Sequence, residues 1–153
     1  MRRKRQELPQ EECEKVLEKG TAGVLSVLGD GGYPYGVPIS YVYSECKLYF
    51  HSAVEGHKID AISNENKCSF TVIDQDEIHP DECTTYFRSV IAFGQIHRLE
   101  HMEDLLHGLR LLGSKYNPGD HSGLQHEINK SVAMPDGISH TRVVVFANNV
   151  SNK

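Results

Sequence analysis

The sequence predicts a mainly β, α+β domain: six antiparallel strands closed into a barrel, with helices on its outside. Three observations carry this. The 153 residues are the length of one domain. The apolar runs are joined by short hairpin-like connections instead of helical crossovers, and the clearest helical stripe stands apart from them. Hydrophobic residues make up 39% and charged residues 24%, enough for a self-standing core at this size. No apolar run approaches the roughly 18 residues of a membrane span.

The elements follow in order. Glu11–Lys19 reads as a short opening helix, ended by Gly20 just past Lys19. The apolar run Ala22–Leu28 is the first strand and stops at Gly29-Asp30-Gly31-Gly32, residues that tolerate positive φ. Val37–Tyr43 is the second strand, where Pro38 demands an edge or a bulge. Ser44-Glu45 forms a hairpin loop into the third, Lys47–His51. Gly56–Ser63 is a short helix with Ile59 and Ile62 on one side. Cys68–Ile73 and Tyr86–Leu99 are two further strands, the latter long enough to bend round a barrel. Met102, Leu105, Leu106, Leu109, Leu112 and Tyr116 recur at helical spacing, so Met102–Tyr116 is a core-packed helix ended by Asn117-Pro118-Gly119. A helix over His121–Ser131 and a sixth strand over Thr141–Ala147 complete a single domain over 1–153.

Charge and cysteines narrow the setting. Sixteen basic residues face 21 acidic ones, and four of the basic ones lie in Met1–Arg5. The remaining twelve against 21 leave an acidic body, which argues against a surface for nucleic acid or membrane. The basic start reads as a solvated tail. Cys13, Cys46, Cys68 and Cys83 show no C-x-x-C, and Arg2–Arg5 runs into an acidic stretch instead of an apolar leader, so the expectation is a cytoplasmic protein with four reduced thiols.

Two segments carry candidate chemistry. In Leu48–Asp60 an apolar strand delivers His51 and Ser52 at its end, small residues Ala53 and Gly56 follow, and Lys58 sits in the first turn of a helix. Free N–H groups at a helix start, a hydroxyl and an ammonium together suit a phosphate dianion. In Tyr86–Gly94 the period of two puts Tyr86, Arg88 and Val90 on one face and Phe87, Ser89 and Ile91 on the other. An Arg among bulky apolar neighbours needs an anion or a carboxylate, or an edge from which to reach water.

These segments also carry a family likeness. Gly32-Tyr33-Pro34-Tyr35-Gly36-Val37-Pro38, then Leu48-Tyr49-Phe50-His51-Ser52-Ala53-x-Glu55-Gly56-x-Lys58-Ile59-Asp60, then Tyr86-x-Arg88-Ser89-Val90-Ile91-Ala92-Phe93-Gly94 stand in that order. Together they resemble the pyridoxamine 5′-phosphate oxidase-like FMN-binding split barrels, nearest the Nim (nitroimidazole-resistance) flavoproteins, whose chains also tend to open as Met1–Lys4 does. The resemblance implies a six-stranded split barrel and a homodimer with FMN at the subunit interface. It implies main-chain contacts to the flavin ring from Val37, Pro38, Ile39 and Ser40. His51, Ser52, Ala53 and Lys58 would hold the ribityl and phosphate groups, with Arg88 and Ser89 completing the phosphate site. His51 is the implied catalytic residue, and a histidine titrating near neutrality suits proton delivery.

The implied activity is electron or hydride transfer through flavin N5 to a small-molecule acceptor such as a nitroaromatic, fed by a small-molecule reductant. Two departures from the pattern stand out. His57 replaces one of two basic residues common at the helix opening, and Asn64–Cys68 lacks the usual Asn-Pro stop. The chain has no G-x-G-x-x-G, P-loop or G-x-S-x-G, and its histidines and cysteines fall at no metal-ligand spacing on one helix face. Two rivals keep the same barrel: a flavin-binding or redox-sensing dimer without turnover, and a haem-binding or cofactor-free protein.

Overall fold

The computed structural model describes residues 7–53, 55–119 and 141–148, the last stretch as backbone only. The order is α1 (Gln10–Lys19), β1 (Ala22–Leu28), β2 (Pro34–Ser44), β3 (Lys47–Ala53), α2 (His57–Asn64), β4 (Lys67–His79), β5 (Thr84–Arg98), α3 (Met102–Tyr116) and β6 (Thr141–Asn148). The six strands close a barrel in the order β1-β2-β3-β6-β5-β4, every neighbouring pair antiparallel. The expected helix over 121–131 lies outside the described residues.

Alternation builds the interior. Leu25 and Val27 of β1, Leu48 and Phe50 of β3, Phe70 and Val72 of β4, and Val90, Ala92 and Ile96 of β5 all face inward and are buried. Phe70 is fully buried, its ring 4.9 Å from Tyr41 and 5.1 Å from Phe50. Ile59, Ala61 and Ile62 of α2 join this cluster and close one end of the barrel; Cys13, Val16 and Leu17 of α1 join it from the other. The Met102–Tyr116 stripe packs on the outside: Leu109 and Leu112 cover Val42 and Tyr49, the outward residues of β2 and β3. The Tyr116 hydroxyl locks this helix down, accepting from Tyr41 N–H at 2.9 Å.

Three local expectations change. Gly20 ends α1 in extended backbone (φ −64°), not in the left-handed turn. Its glycine is required for room, because a Cβ there would lie 2.5 Å from the Tyr41 hydroxyl. The β2–β3 turn is Glu45-Cys46, one residue later than expected, both at positive φ (51° and 61°) as a two-residue hairpin demands. β4 runs six residues past the expected Ile73, to His79, because Asp74–His79 is polar but for Ile78 and hydrophobicity does not mark it; it pairs with Thr84–Arg88 of β5.

All four cysteines are free, with Cys13 and Cys68 buried and Cys46 and Cys83 exposed. Burial pushes the Cys68 thiol up to about 12. A maleimide is therefore expected to add twice to the native protein and four times after unfolding, as read by intact mass. A native count of four would place Cys13 and Cys68 at the surface. Among the described residues no helix is long and apolar enough to cross a membrane.

Candidate functional site

The site begins where two strands part. β2 and β3 pair from Ser44–Lys47 to Tyr41–Phe50, and there the ladder ends, although both strands continue. Beyond it β2 pairs only with β1, Ser40 opposite Ala22 and Pro38 opposite Val24, while His51, Ser52 and Ala53 pair only with β6. Tyr41 directs its N–H toward Thr21 O, on the β1 side. By the strand's alternation, Ser40 and Pro38 direct their main-chain groups into the opening. Pro38 thus sits mid-strand in a closed barrel without breaking a ladder, because the side where its N–H would point has no partner strand. Val37 and Ile39 turn toward β1, half-buried, with Ile39 packed on the core.

At the end of β3 the side chains alternate again. His51 and Ala53 are exposed on the outer face, and Ser52 faces inward, 6% exposed. The Ser52 hydroxyl is buried without a hydrogen-bond partner among the described residues. Left unmet, such a group costs about 1–3 kcal/mol. Gly56 then starts α2 at φ +127°, a conformation open to glycine, and a Cβ there would meet nothing within 4 Å. Its carbonyl takes the Ile59 and Asp60 amides, while no side chain caps the helix. Lys58 is half-buried and has no hydrogen bond or ion pair among the described residues. Burial alone holds its ammonium below the usual lysine range. An open main-chain edge, an orphaned hydroxyl, an unpaired ammonium and an uncapped helix start therefore lie together, at the end of the barrel that α2 closes. Together these donors fit an anion.

Not every expected residue joins them. The His57 imidazole turns away, Nδ1 3.3 Å from Asp30 and the ring 4.6 Å from that of Tyr35, so it braces the β1–β2 turn. Arg88 and Ser89 lie in the first half of β5, opposite Gln75 and Ile73, toward the other end of the barrel. Ten residues separate Arg88 from the strand end near Ser52, about 30 Å at ~3.3 Å per residue. Within one chain they complete no site with Lys58.

Arg88 is also already compensated. A register shift between Ile73 and Gln75 accommodates Asp74, whose side chain is 7% exposed, and Arg88 Nε donates to it at 2.5 Å. Arg88→Ala would strand that buried carboxylate. It is expected to cost roughly 1–3 kcal/mol, discounted because Arg88 is 40% exposed. Arg88→Ala with Asp74→Asn should recover most of the loss in urea unfolding. Equal losses in the single and double variants would remove the pair from the fold's stability.

Sequence reasoning passed over Arg98, the last residue of β5. Its Nε is buried without a partner, like the Ser52 hydroxyl. The signal was available: Arg98 shares strand parity with Val90, Ala92 and Ile96, the buried face.

The model of a family described as pyridoxamine 5′-phosphate oxidase matches residues 9–140. No curated protein matches the chain by sequence. Among solved structures, a candidate 5-nitroimidazole antibiotic resistance protein from Bacteroides thetaiotaomicron is similar with a TM-score of 0.73 at 21% identity, over 92% of this chain and 80% of that one. An FAD-binding protein from Mesorhizobium loti is similar with a TM-score of 0.60 at 22% identity, over 93% and 91%. An FAD- and haem-binding protein from Mycobacterium smegmatis is similar with a TM-score of 0.70 at 16% identity, over 94% and 68%. At these identities the likeness is one of fold.

Proposed function

The chain belongs to the pyridoxamine 5′-phosphate oxidase family, and on that premise we propose that it binds FMN in the β2–β3 opening and reduces a small organic acceptor such as a nitroaromatic. One observation carries the reading: the opened ladder lies beside a buried Ser52 hydroxyl and a Lys58 ammonium, neither of which has a partner among the described residues. In this reading main-chain groups of Pro38 and Ser40 meet the edge of the flavin ring, with Val37 and Ile39 holding the strand's inner side. Ser52, Lys58 and the α2 amides take the phosphate, where hydroxyl, ammonium and N–H donors all point to an anion. Ala53 and Gly56 leave room for close approach.

A bound flavin supplies the redox chemistry at N5; the chain's part is to hold it, limit its contact with water and move a proton. In this reading His51, exposed on the outer face near the end of β3, delivers that proton. The chain has no nicotinamide-binding fingerprint, so a reductant approaches an open flavin face. Oxidation of pyridoxamine phosphate itself is disfavoured, because it asks for a second set of cations for the substrate's phosphate. The Bacteroides relative favours a nitroimidazole as the acceptor; the FAD-binding relatives favour a flavin generally.

The reading includes a second copy of the chain. No described helix packs on the outer face of β1, β4 and β5, which exposes Val24 (37%), Ile73 (58%), Ile91 (55%) and Phe93 (59%). Val24 lies opposite both Pro38 and Thr71, so this apolar face runs directly into the opening. A homodimer would bury it and wall the flavin site. Ile91→Glu is expected to leave a monomer by light scattering; a wild type that is already monomeric at micromolar concentration sinks the dimer.

The deciding experiment is simple. Purified protein should show flavin absorbance or take up added FMN, and should then oxidise a reduced nicotinamide when a nitroimidazole is supplied. A colourless protein that takes up no FMN overturns the cofactor; flavin uptake without turnover leaves the binding and removes the enzyme.

A further inference from the structure

Arg98, at the site's end of the barrel, has a guanidinium that meets no counter-charge among the described residues. It has no hydrogen bond or ion pair among the described residues, and its Nε is fully buried. Arg98 as a whole is half-buried, so it is this one N–H donor that is held away from water; a buried donor left unmet is costly, and native structures meet such groups with a ligand or an acceptor. Its place is set by the ladders. Arg98 lies opposite Val144 on β6, and Val144 lies opposite Phe50 on β3. Ser52 follows Phe50 by two residues on the same inward face. The Ile96 N–H donates to Asn66 O at 2.8 Å, which ties this end of β5 to the chain leaving α2. Arg98 and Ser52 are thus inward-facing residues separated by a single strand, at the end that α2 and Lys58 close.

We propose that Arg98 is the second cation of the phosphate site, the role that Arg88 cannot fill within its own chain. The proposal rests on the flavin-nucleotide reading above. A terminal phosphate monoester carries close to two negative charges, which Lys58 alone does not balance. A guanidinium adds one charge and a planar fork matched to two phosphate oxygens. The buried Ser52 hydroxyl and the open amides of α2 supply the remaining donors. The ligand class this selects is a flavin bearing a terminal phosphate.

The test compares FMN with riboflavin, which has the same ring and ribityl chain but no phosphate. Affinities are measured by flavin fluorescence for the wild type, Arg98→Gln, Arg98→Lys and Lys58→Ala. Arg98→Gln is expected to weaken FMN at least about tenfold, as loss of a charge-assisted contact implies, and to leave riboflavin within about twofold. Arg98→Lys keeps the charge but not the fork and should lose FMN affinity less, again with riboflavin unchanged; it carries the test if the Gln variant does not fold. Equal weakening of FMN and riboflavin would make Arg98 merely structural and overturn the proposal. FMN binding unchanged in both Arg98 variants, with Lys58→Ala weakened, would overturn it too while leaving the flavin reading intact. A wild type that binds neither flavin would instead bring down the reading on which it rests.

Discussion

Phe70→Ala is expected to destabilise the protein by about 3–5 kcal/mol. The ring is fully buried where β1, β2, β3 and β4 face one another, edge-on to Tyr41 and tilted against Phe50. It also lies directly under the backbone of β1: a Cβ on Gly23 would come within 2.6 Å of it. Neighbours held by hydrogen-bonded ladders cannot collapse into the space the ring leaves, so a cavity remains and adds to the lost transfer energy. Against a typical domain stability of about 5–15 kcal/mol, that is a large share. Urea unfolding should show a lower midpoint with an unchanged slope. A loss below about 1 kcal/mol would mean that the barrel's centre is not where Phe70 sits.

The second large effect is on binding. Lys58→Ala is expected to weaken FMN by about 1–3 kcal/mol, the range of a charge-assisted contact, with riboflavin unaffected. The pH dependence follows from the direction of its shift. Burial lowers the Lys58 pKa from 10.5, and no acid among the described residues opposes this. The phosphate needs the charged form, so wild-type FMN affinity should fall as pH rises through that lowered pKa, before an ordinary lysine would titrate. Free-protein stability has the opposite sign. The buried ammonium costs stability while charged in both folded and unfolded states, and the cost is relieved between the lowered pKa and the ordinary one. Fluorescence titrations across the alkaline range should therefore slope for the wild type and lie flat for Lys58→Ala. A flat wild-type profile would separate Lys58 from the phosphate.

Much of this was legible from local pattern. The Ala22–Leu28 strand and the Met102–Tyr116 helix have the predicted bounds, because alternation and a helical stripe are direct imprints of one buried face. Ser52, Ala53 and Lys58 were legible as a group for a similar reason: they are neighbours in sequence, and strand, turn and helix keep them so. For Arg88 the sequence allows a phosphate contact, a carboxylate partner or an edge open to water. Within this chain the register shift at Asp74 brings it a carboxylate, and the side chain stays 40% exposed.

The sequence by itself determined the class of fold, the order of its elements and the strand–turn–helix that joins β3 to α2. Each depends on side chains a few residues apart, whose spacing the backbone periods of 2 and 3.6 convert directly into faces. Only the tertiary structure decided which distant strand ends meet. Arg88 and Arg98 lie on the same face of the same strand, and no local rule separates them. Barrel closure does: β6 is inserted between β3 and β5, the register carries Arg98 to the end that holds Ser52, and Arg88 is left near the other, beside Asp74. The same closure explains Pro38. A missing N–H that would break an ordinary inner strand is harmless where β2 and β3 have already parted.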